Sequence, residues 1–286
     1  MTLTGLKFDI AIDPSTGRPV VAYGRYMKDP LVARLQSDGT WSKTPISHLS
    51  DRTLVYDLEY QGGKLHLLGL EGLPNSTQRK LSLSKYNAGS WTHSDIDTDV
   101  WQAWADLAVD SSGNSIAVYT KNVGSREKVF AASNQSGAWK VTKVVDVNSS
   151  FQQDVQADVE FSPSGTPHIG LFYVAPSESY SGGKYQDFAR AYRQNGSWTL
   201  EMLDTGNSAG IYPEIEFDSS GKLIGFYQKG HSYAVGTFVS GAWRDSQINS
   251  DSAVYPPVAA NLKLDSTGDP VIGYENQSLQ GIVFYY

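Results

Sequence analysis

Six short segments of alternating polar and apolar residues recur along this chain, and they restrict its fold more than any other feature. They are Phe8-Asp9-Ile10-Ala11-Ile12, Tyr56-Asp57-Leu58-Glu59-Tyr60, Ala105-Asp106-Leu107-Ala108-Val109, Ala157-Asp158-Val159-Glu160-Phe161, Pro213-Glu214-Ile215-Glu216-Phe217 and Ala260-Asn261-Leu262-Lys263-Leu264. Alternation with period two is the pattern of a strand with unlike faces. Repetition of such strands every 45–55 residues or so marks a β-propeller, in which each repeat is one blade.

Each inner strand runs into a turn built from Asp or Ser and Gly, such as Asp110-Ser111-Ser112-Gly113 and Asp218-Ser219-Ser220-Gly221. Asp or Ser bonds its own backbone there, and Gly accepts the positive φ. A second strand follows, for example Ser115–Tyr119. A third ends in a Gly-x-Trp hairpin at Gly39-Trp41, Gly89-Trp91, Gly137-Trp139, Gly196-Trp198 and Gly241-Trp243. Five Trp residues in register are expected to be apolar plates between blades. The sixth repeat reaches only its third strand. The expected fold is therefore all-β: a single domain over 1–286, a six-bladed propeller of four-stranded antiparallel blades, the last short of a full outer strand. Either residues 1–6 supply a stub of that strand, or residues upstream of Met1 complete it; a seventh blade also remains open.

The pattern Asp-Ser-Ser-Gly-x-Pro-x-Ile-x-Tyr followed by Gly-x-Trp, clearest at Asp110–Tyr119, Ser162–Tyr173 and Asp265–Tyr274, resembles the repeat of bacterial propellers of the sialidase/lectin-like group. The resemblance spans nearly the whole chain and implies fold rather than activity, because such propellers include lectins, lyases, hydrolases and protein-binding modules. Ser37-Asp38-Gly39-Thr40-Trp41 departs from the sialidase Asp-box, which places Asp two residues before Gly. No arginine triad accompanies it, which argues against sialidase activity.

Charge narrows the partners. With 23 basic and 30 acidic residues the net charge is −7, and the pI is near 5.2. No basic stripe exists to track phosphates or an anionic bilayer, so neither nucleic acid nor membrane is expected as a partner. The absence of Cys excludes disulfides, thiolate metal sites and Cys nucleophiles. The segment Met1–Gly5 lacks signal-peptide character, and no apolar run approaches a membrane span. A soluble monomer is expected, cytosolic or secreted with its signal removed.

Two sets of residues are candidates for chemistry. The first is the ring of Asp9, Asp57, Asp106, Asp158, Glu214 and Asn261, one from each inner strand. Crowded carboxylates raise one another's pKa. They can share a hard cation such as Ca²⁺, bond the backbone N–H groups of the adjacent blade, or carry protons. Calcium is the one cofactor this suggests. The second set converges at the expected channel mouth: Trp101, Trp104, Tyr212, Tyr26, Tyr255 and Glu71 as ligand-binding residues, with His231, Arg25, Lys229 and Tyr173 as candidate acid, base or charge-neutralising groups. Aromatic rings stack on sugar faces and on cations. Trp101 and Trp104 stand out as the two Trp residues outside the repeated hairpins. The residues following the second strands, Arg25, Glu71, Lys121, Val174, Lys229 and Glu275, do not repeat. This favours one asymmetric site over a multivalent lectin.

None of the five histidines has metal-ligand spacing with another. Nucleophile-elbow, P-loop and dinucleotide fingerprints are absent. The expected function is binding of a carbohydrate or other small molecule at that mouth. The alternative is an enzyme at the same place, a polysaccharide lyase or a cation-dependent hydrolase. A third reading is a protein-interaction platform.

Overall fold

The computed structural model describes residues 8–25, 28–51, 53–72, 79–98, 100, 104–123, 126–147, 155–175, 186–206, 209–230, 232–249, 260–276 and 281–285. Among them are five four-stranded antiparallel sheets and one of three strands. The first contains β1 (Phe8–Asp13), β2 (Arg18–Arg25), β3 (Lys28–Leu35) and β4 (Trp41–Pro45); the second β5 (Leu54–Gln61), β6 (Lys64–Gly72), β7 (Arg79–Asn87) and β8 (Ser90–Thr98). The third contains β9 (Ala105–Val109), β10 (Ser115–Val123), β11 (Arg126–Ser133) and β12 (Lys140–Asp146); the fourth β13 (Ala157–Phe161), β14 (Pro167–Tyr173), β15 (Asp187–Gln194) and β16 (Ser197–Asp204). The fifth contains β17 (Ala209–Phe217), β18 (Leu223–Lys229), β19 (Ser232–Val239) and β20 (Ala242–Asn249). The sixth has β21 (Ala260–Leu264), β22 (Pro270–Asn276) and β23 (Gly281–Tyr285). Strands follow one another in chain order across every sheet, the meander of a propeller blade. No helix among the described residues is long and apolar enough to cross a membrane.

The turns form for the reasons their residues suggest. In the β9–β10 turn Asp110 Oδ1 accepts the N–H groups of Ser112 and Asn114, both at 2.9 Å, while Gly113 takes φ +81°. The same Asx turn recurs at Asp13, Asp218 and Asp265. Three of the Gly-x-Trp hairpins are tighter than the repeat alone shows. Ala88-Gly89, Asn195-Gly196 and Ser240-Gly241 have positive φ at both central residues, the mark of a type I′ turn.

The chain divides into two compact units: residues 1–122 with 130–142, and residues 123–129 with 143–286. The first unit has two core layers. One packs Ala11, Val20 and Val32 of the first sheet against Val55, Leu58, Leu65 and Leu67 of the second, with Trp91 at its edge. The other packs Leu68, Leu70, Leu81 and Leu83 against Leu107, Ala117 and Tyr119 of the third sheet, with Trp139 at its edge. In the second unit Phe188, Ile215, Tyr227 and Ala234 form one layer beside Trp243, and Ile224, Phe226, Tyr233, Leu262 and Ile272 form the next. Trp91, Trp139 and Trp243 thus cover these layers, as the repeat led us to expect. Trp41 differs: it is exposed, as are Phe8, Ile10 and Ile12 of β1. The equivalents of Ile10, namely Leu58 and Leu107, are buried by the preceding sheet, and within its unit the first sheet has none before it.

Candidate functional site

The inner-strand acidic residues engage backbone. In the first unit Asp9 Oδ2 accepts the N–H of Leu58 at 2.7 Å, and Asp57 Oδ2 accepts that of Leu107 at 2.8 Å. In the second, Asp158 Oδ2 accepts the N–H of Ile215 at 2.7 Å, and Glu214 accepts that of Leu262. Each carboxylate therefore reaches the residue just after its counterpart on the next inner strand. Burial holds the Asp9 carboxyl well above the usual carboxylate range, and the adjacent Asp57 raises it further. Glu214 is likewise raised by burial and by Asp158. In Asp9, Asp57, Asp158 and Glu214, the acceptor capacity expected for calcium is at least partly used by amide groups.

Strand register locates the second set. Inner-strand acidic residues pair with Ala22, Leu68, Val118, Gly170 and Phe226, and Asn261 pairs with Gly273. Three residues beyond these lie Arg25, Glu71, Lys121, Tyr173, Lys229 and Asn276. For the fourth and sixth sheets the equivalent residues are thus Tyr173 and Asn276, one step from the Val174 and Glu275 read from sequence. The difference is one of register: β14 carries its last aromatic, Tyr173, at this position itself, whereas in β22 Asn276 stands two residues past Tyr274, as Arg25, Lys121 and Lys229 stand past Tyr23, Tyr119 and Tyr227. The position remains unrepeated, and it holds three of the four candidate acid, base or neutralising groups together with Glu71.

Two of these positions are closed knots. In the first unit Tyr119 donates its hydroxyl to Asp97 Oδ2 at 2.7 Å, and Lys121 Nζ lies 3.1 Å from the same oxygen. In the second, Tyr227 donates to Asp204 Oδ2 at 2.8 Å and accepts from Trp243 Nε1 at 3.2 Å. Lys229 Nζ is 2.7 Å from Asp204 and 2.8 Å from Asp245. Burial pulls the Lys229 ammonium down, but the two carboxylates outweigh it and hold the group above its ordinary value. Lys229 is thus a persistent cation. Tyr173 is buried at the end of β14.

Glu71 is different. It is 5% exposed, and Oε1 receives no hydrogen bond. Around it on one face of the second sheet stand Lys80 (3.5 Å) and His93 (3.4 Å), and Asp95 lies 3.2 Å from His93 Nε2. Behind His93, Ser84 Oγ is 3.3 Å from Nδ1 and 2.9 Å from Nε2 of His48. Sequence reading selected Glu71 but missed Lys80, His93, Asp95, Ser84 and His48. The signal was present in Ser82-x-Ser84, which stand in β7 where the equivalent third strands carry Leu31 and Ala33, Ala189 and Ala191, or Ala234 and Gly236.

Of the remaining candidates, Trp104 is half-buried immediately before β9, where its N–H donates to Thr120 Oγ1 at 3.2 Å. Tyr212 was expected before the inner strand. It lies instead within β17, at φ +53°, in a bulge where its N–H donates to Gln156 Oε1 at 2.6 Å. Arg25 ends β2. Trp101, Tyr26, Tyr255 and His231 fall outside the described residues. Trp104, Arg25 and Glu71 belong to the first unit, Tyr173, Tyr212 and Lys229 to the second.

Known proteins share this architecture. The lectin of Aleuria aurantia, solved with Fucα1-6GlcNAc, superposes with a TM-score of 0.59 at 14% identity, covering 99% of this chain and 96% of that one. The same lectin is described as a six-bladed β-propeller. This chain has that fold. The α-L-arabinofuranosidase Arb93A of Fusarium graminearum gives a TM-score of 0.61 at 11% identity, with 98% and 91% of the two chains covered. Polysaccharide lyase Uly1 gives 0.60 at 10% identity, with 95% and 74% covered. No protein-family model matches the sequence, and no curated protein matches it either.

Proposed function

We propose that this propeller binds carbohydrate through one asymmetric site at the ends of its second strands. The observation that carries the reading is the unrepeated register position. Arg25, Glu71, Lys121, Tyr173, Lys229 and Asn276 occupy one place in six blades, yet two are locked in Tyr–Lys–Asp knots and Glu71 is not. Packing alone demands repetition there; a directional ligand does not. Trp104 beside β9 offers a ring for stacking on a sugar face. Structural neighbours that bind fucosylated sugar or act on polysaccharide support the ligand class. Membership of the bacterial sialidase/lectin-like group rests on the repeat residues themselves.

The binder is preferred over the enzyme because of Lys229. An ammonium held by two carboxylates above its ordinary pKa is a poor general base. Tyr173, the other candidate described with side chain, is buried. A calcium ion on the inner ring has less support than amide clamping, given the N–H groups already accepted by Asp9, Asp57, Asp158 and Glu214.

Screening against immobilised glycans, fucosylated ones first, tests the reading. Wild type should bind a defined subset, and Trp104→Ala should weaken that binding by about 1–3 kcal/mol. No glycan binding, or an affinity untouched by Trp104→Ala, would count against the site. Turnover of a bound oligosaccharide would move the reading to the enzyme.

A further inference from the structure

We infer that Glu71, His93 and Asp95 form a binding site for a borderline divalent transition metal, with Zn²⁺ the best match. One ligand atom from each residue lies within 4.8 Å of the other two. Two of these separations are 3.2 Å, from His93 Nε2 to Asp95 Oδ1, and 3.4 Å, from His93 Nε2 to Glu71 Oε1. A tetrahedral zinc with bonds of 2.0–2.1 Å has ligand atoms about 3.3 Å apart, so the two edges that meet at His93 Nε2 match its coordination shell. The second observation is independent of spacing. Glu71 Oε1 is buried, directed into the cluster and without a hydrogen bond. Its charge is met by Lys80 Nζ at an ion-pair distance of 3.5 Å rather than by a hydrogen bond, a contact that a metal ion bonded directly to the oxygen would replace.

The surroundings prepare the imidazole. Ser84 Oγ sits 3.3 Å from His93 Nδ1 and 2.9 Å from His48 Nε2. When Nδ1–H donates to Ser84 and the Ser84 hydroxyl donates to His48, the Nε2 lone pair of His93 faces the two carboxylates. Such a partner fixes the tautomer of a metal-bound histidine.

Lys80 is the built-in competitor. Its ammonium stands 2.9 Å from Asp95 and 3.5 Å from Glu71, so it neutralises the carboxylates that the metal would use. Its side chain is partly exposed and can turn to water as the metal enters. Two carboxylates and a neutral imidazole cancel the charge of a divalent ion and leave a fourth position for water. The nitrogen ligand selects zinc over calcium, which takes oxygen ligands at longer distances. The site is distinct from the inner ring; it shares Glu71 with the proposed carbohydrate site, but neither its geometry nor its test involves a sugar.

The test uses the full-length, tag-free chain, stripped with chelator and titrated with ZnCl₂ by calorimetry in the absence of any sugar. One zinc per chain is expected. Asp95→Asn, a change at an exposed side chain, should weaken it at least tenfold, and His93→Gln should abolish it. Lys80→Met should tighten binding several-fold, a gain that a purely structural ion pair would not produce. Excess CaCl₂ should not compete. Retention of wild-type affinity in Asp95→Asn, weaker or unchanged binding in Lys80→Met, or no zinc bound by wild type would each overturn the inference.

Discussion

Asp9 shows how one residue position can carry opposing demands. Its carboxylate accepts the N–H of Leu58, whose N–H also lies 2.6 Å from Asp57 Oδ1, so two acidic groups meet at one donor. A carboxyl whose folded pKa lies above its unfolded value stabilises the fold below the unfolded pKa, and this contribution is lost as pH rises through the folded one. Asn keeps an acceptor for Leu58 and removes the charge, and the chain itself has Asn261 at the sixth equivalent position. Asp9→Asn should therefore raise the melting temperature at pH 8, with the gain shrinking toward pH 4. Asp9→Ala should cost about 0.5–1.5 kcal/mol at low pH, since one of the two bonds to the Leu58 N–H is lost while Asp57 Oδ1 still accepts it. Thermal melts across pH compare the two; an Asn variant less stable than wild type at pH 8 would contradict this account.

At the scale of the element, the Gly-x-Trp hairpin joins turn chemistry to packing. Ser240-Gly241 closes the β19–β20 turn, and this register brings Trp243 over Gly225 and Gly236 and beside Phe188. A methyl group on Gly236 would collide with the indole itself, which packs beside the stacked pair Phe188 and Tyr227. Gly236→Ala should destabilise by about 1–3 kcal/mol in denaturant titration. Gly165 provides the control for the generic cost of the substitution, because nothing lies near its added carbon, although its positive φ brings strain of another kind. A neutral Gly236→Ala would show that the indole can move. The hairpin was legible because glycine and tryptophan recur at fixed spacing. The glycines beneath the ring were not, since nothing local to Gly225 or Gly236 announces what lies above them.

Across the whole molecule, the buried ionisable groups set a pH optimum. Burial drives His66 and His168 down to about 4, with nearby cations adding to the effect. Their neutral forms fit the fold, so stability is lost as pH falls from the unfolded value near 6.5 toward 4. His66 is 1% exposed with neither ring nitrogen bonded, and its share is on the order of 3 kcal/mol. Asp9 and Glu214 erode stability on the alkaline side. The melting temperature should peak at mildly acidic pH, about 6–7, and His66→Gln should flatten the acid limb. An acid limb unchanged by that variant would remove His66 as its cause. The six-blade architecture, the turns and the three-stranded last sheet follow from period and turn residues, because each is decided within one repeat; of the five expected Trp plates, Trp91, Trp139 and Trp243 cover core layers and Trp41 is exposed. The partners of the carboxylates are decided elsewhere. Whether Asp57 holds a cation or an amide depends on where Leu107 lies, 50 residues away, and Glu71 meets His93 and Asp95 only after three strands align. Alternation along a strand tells which residues share a face; the cross-strand register, which no local pattern records, tells which of them touch.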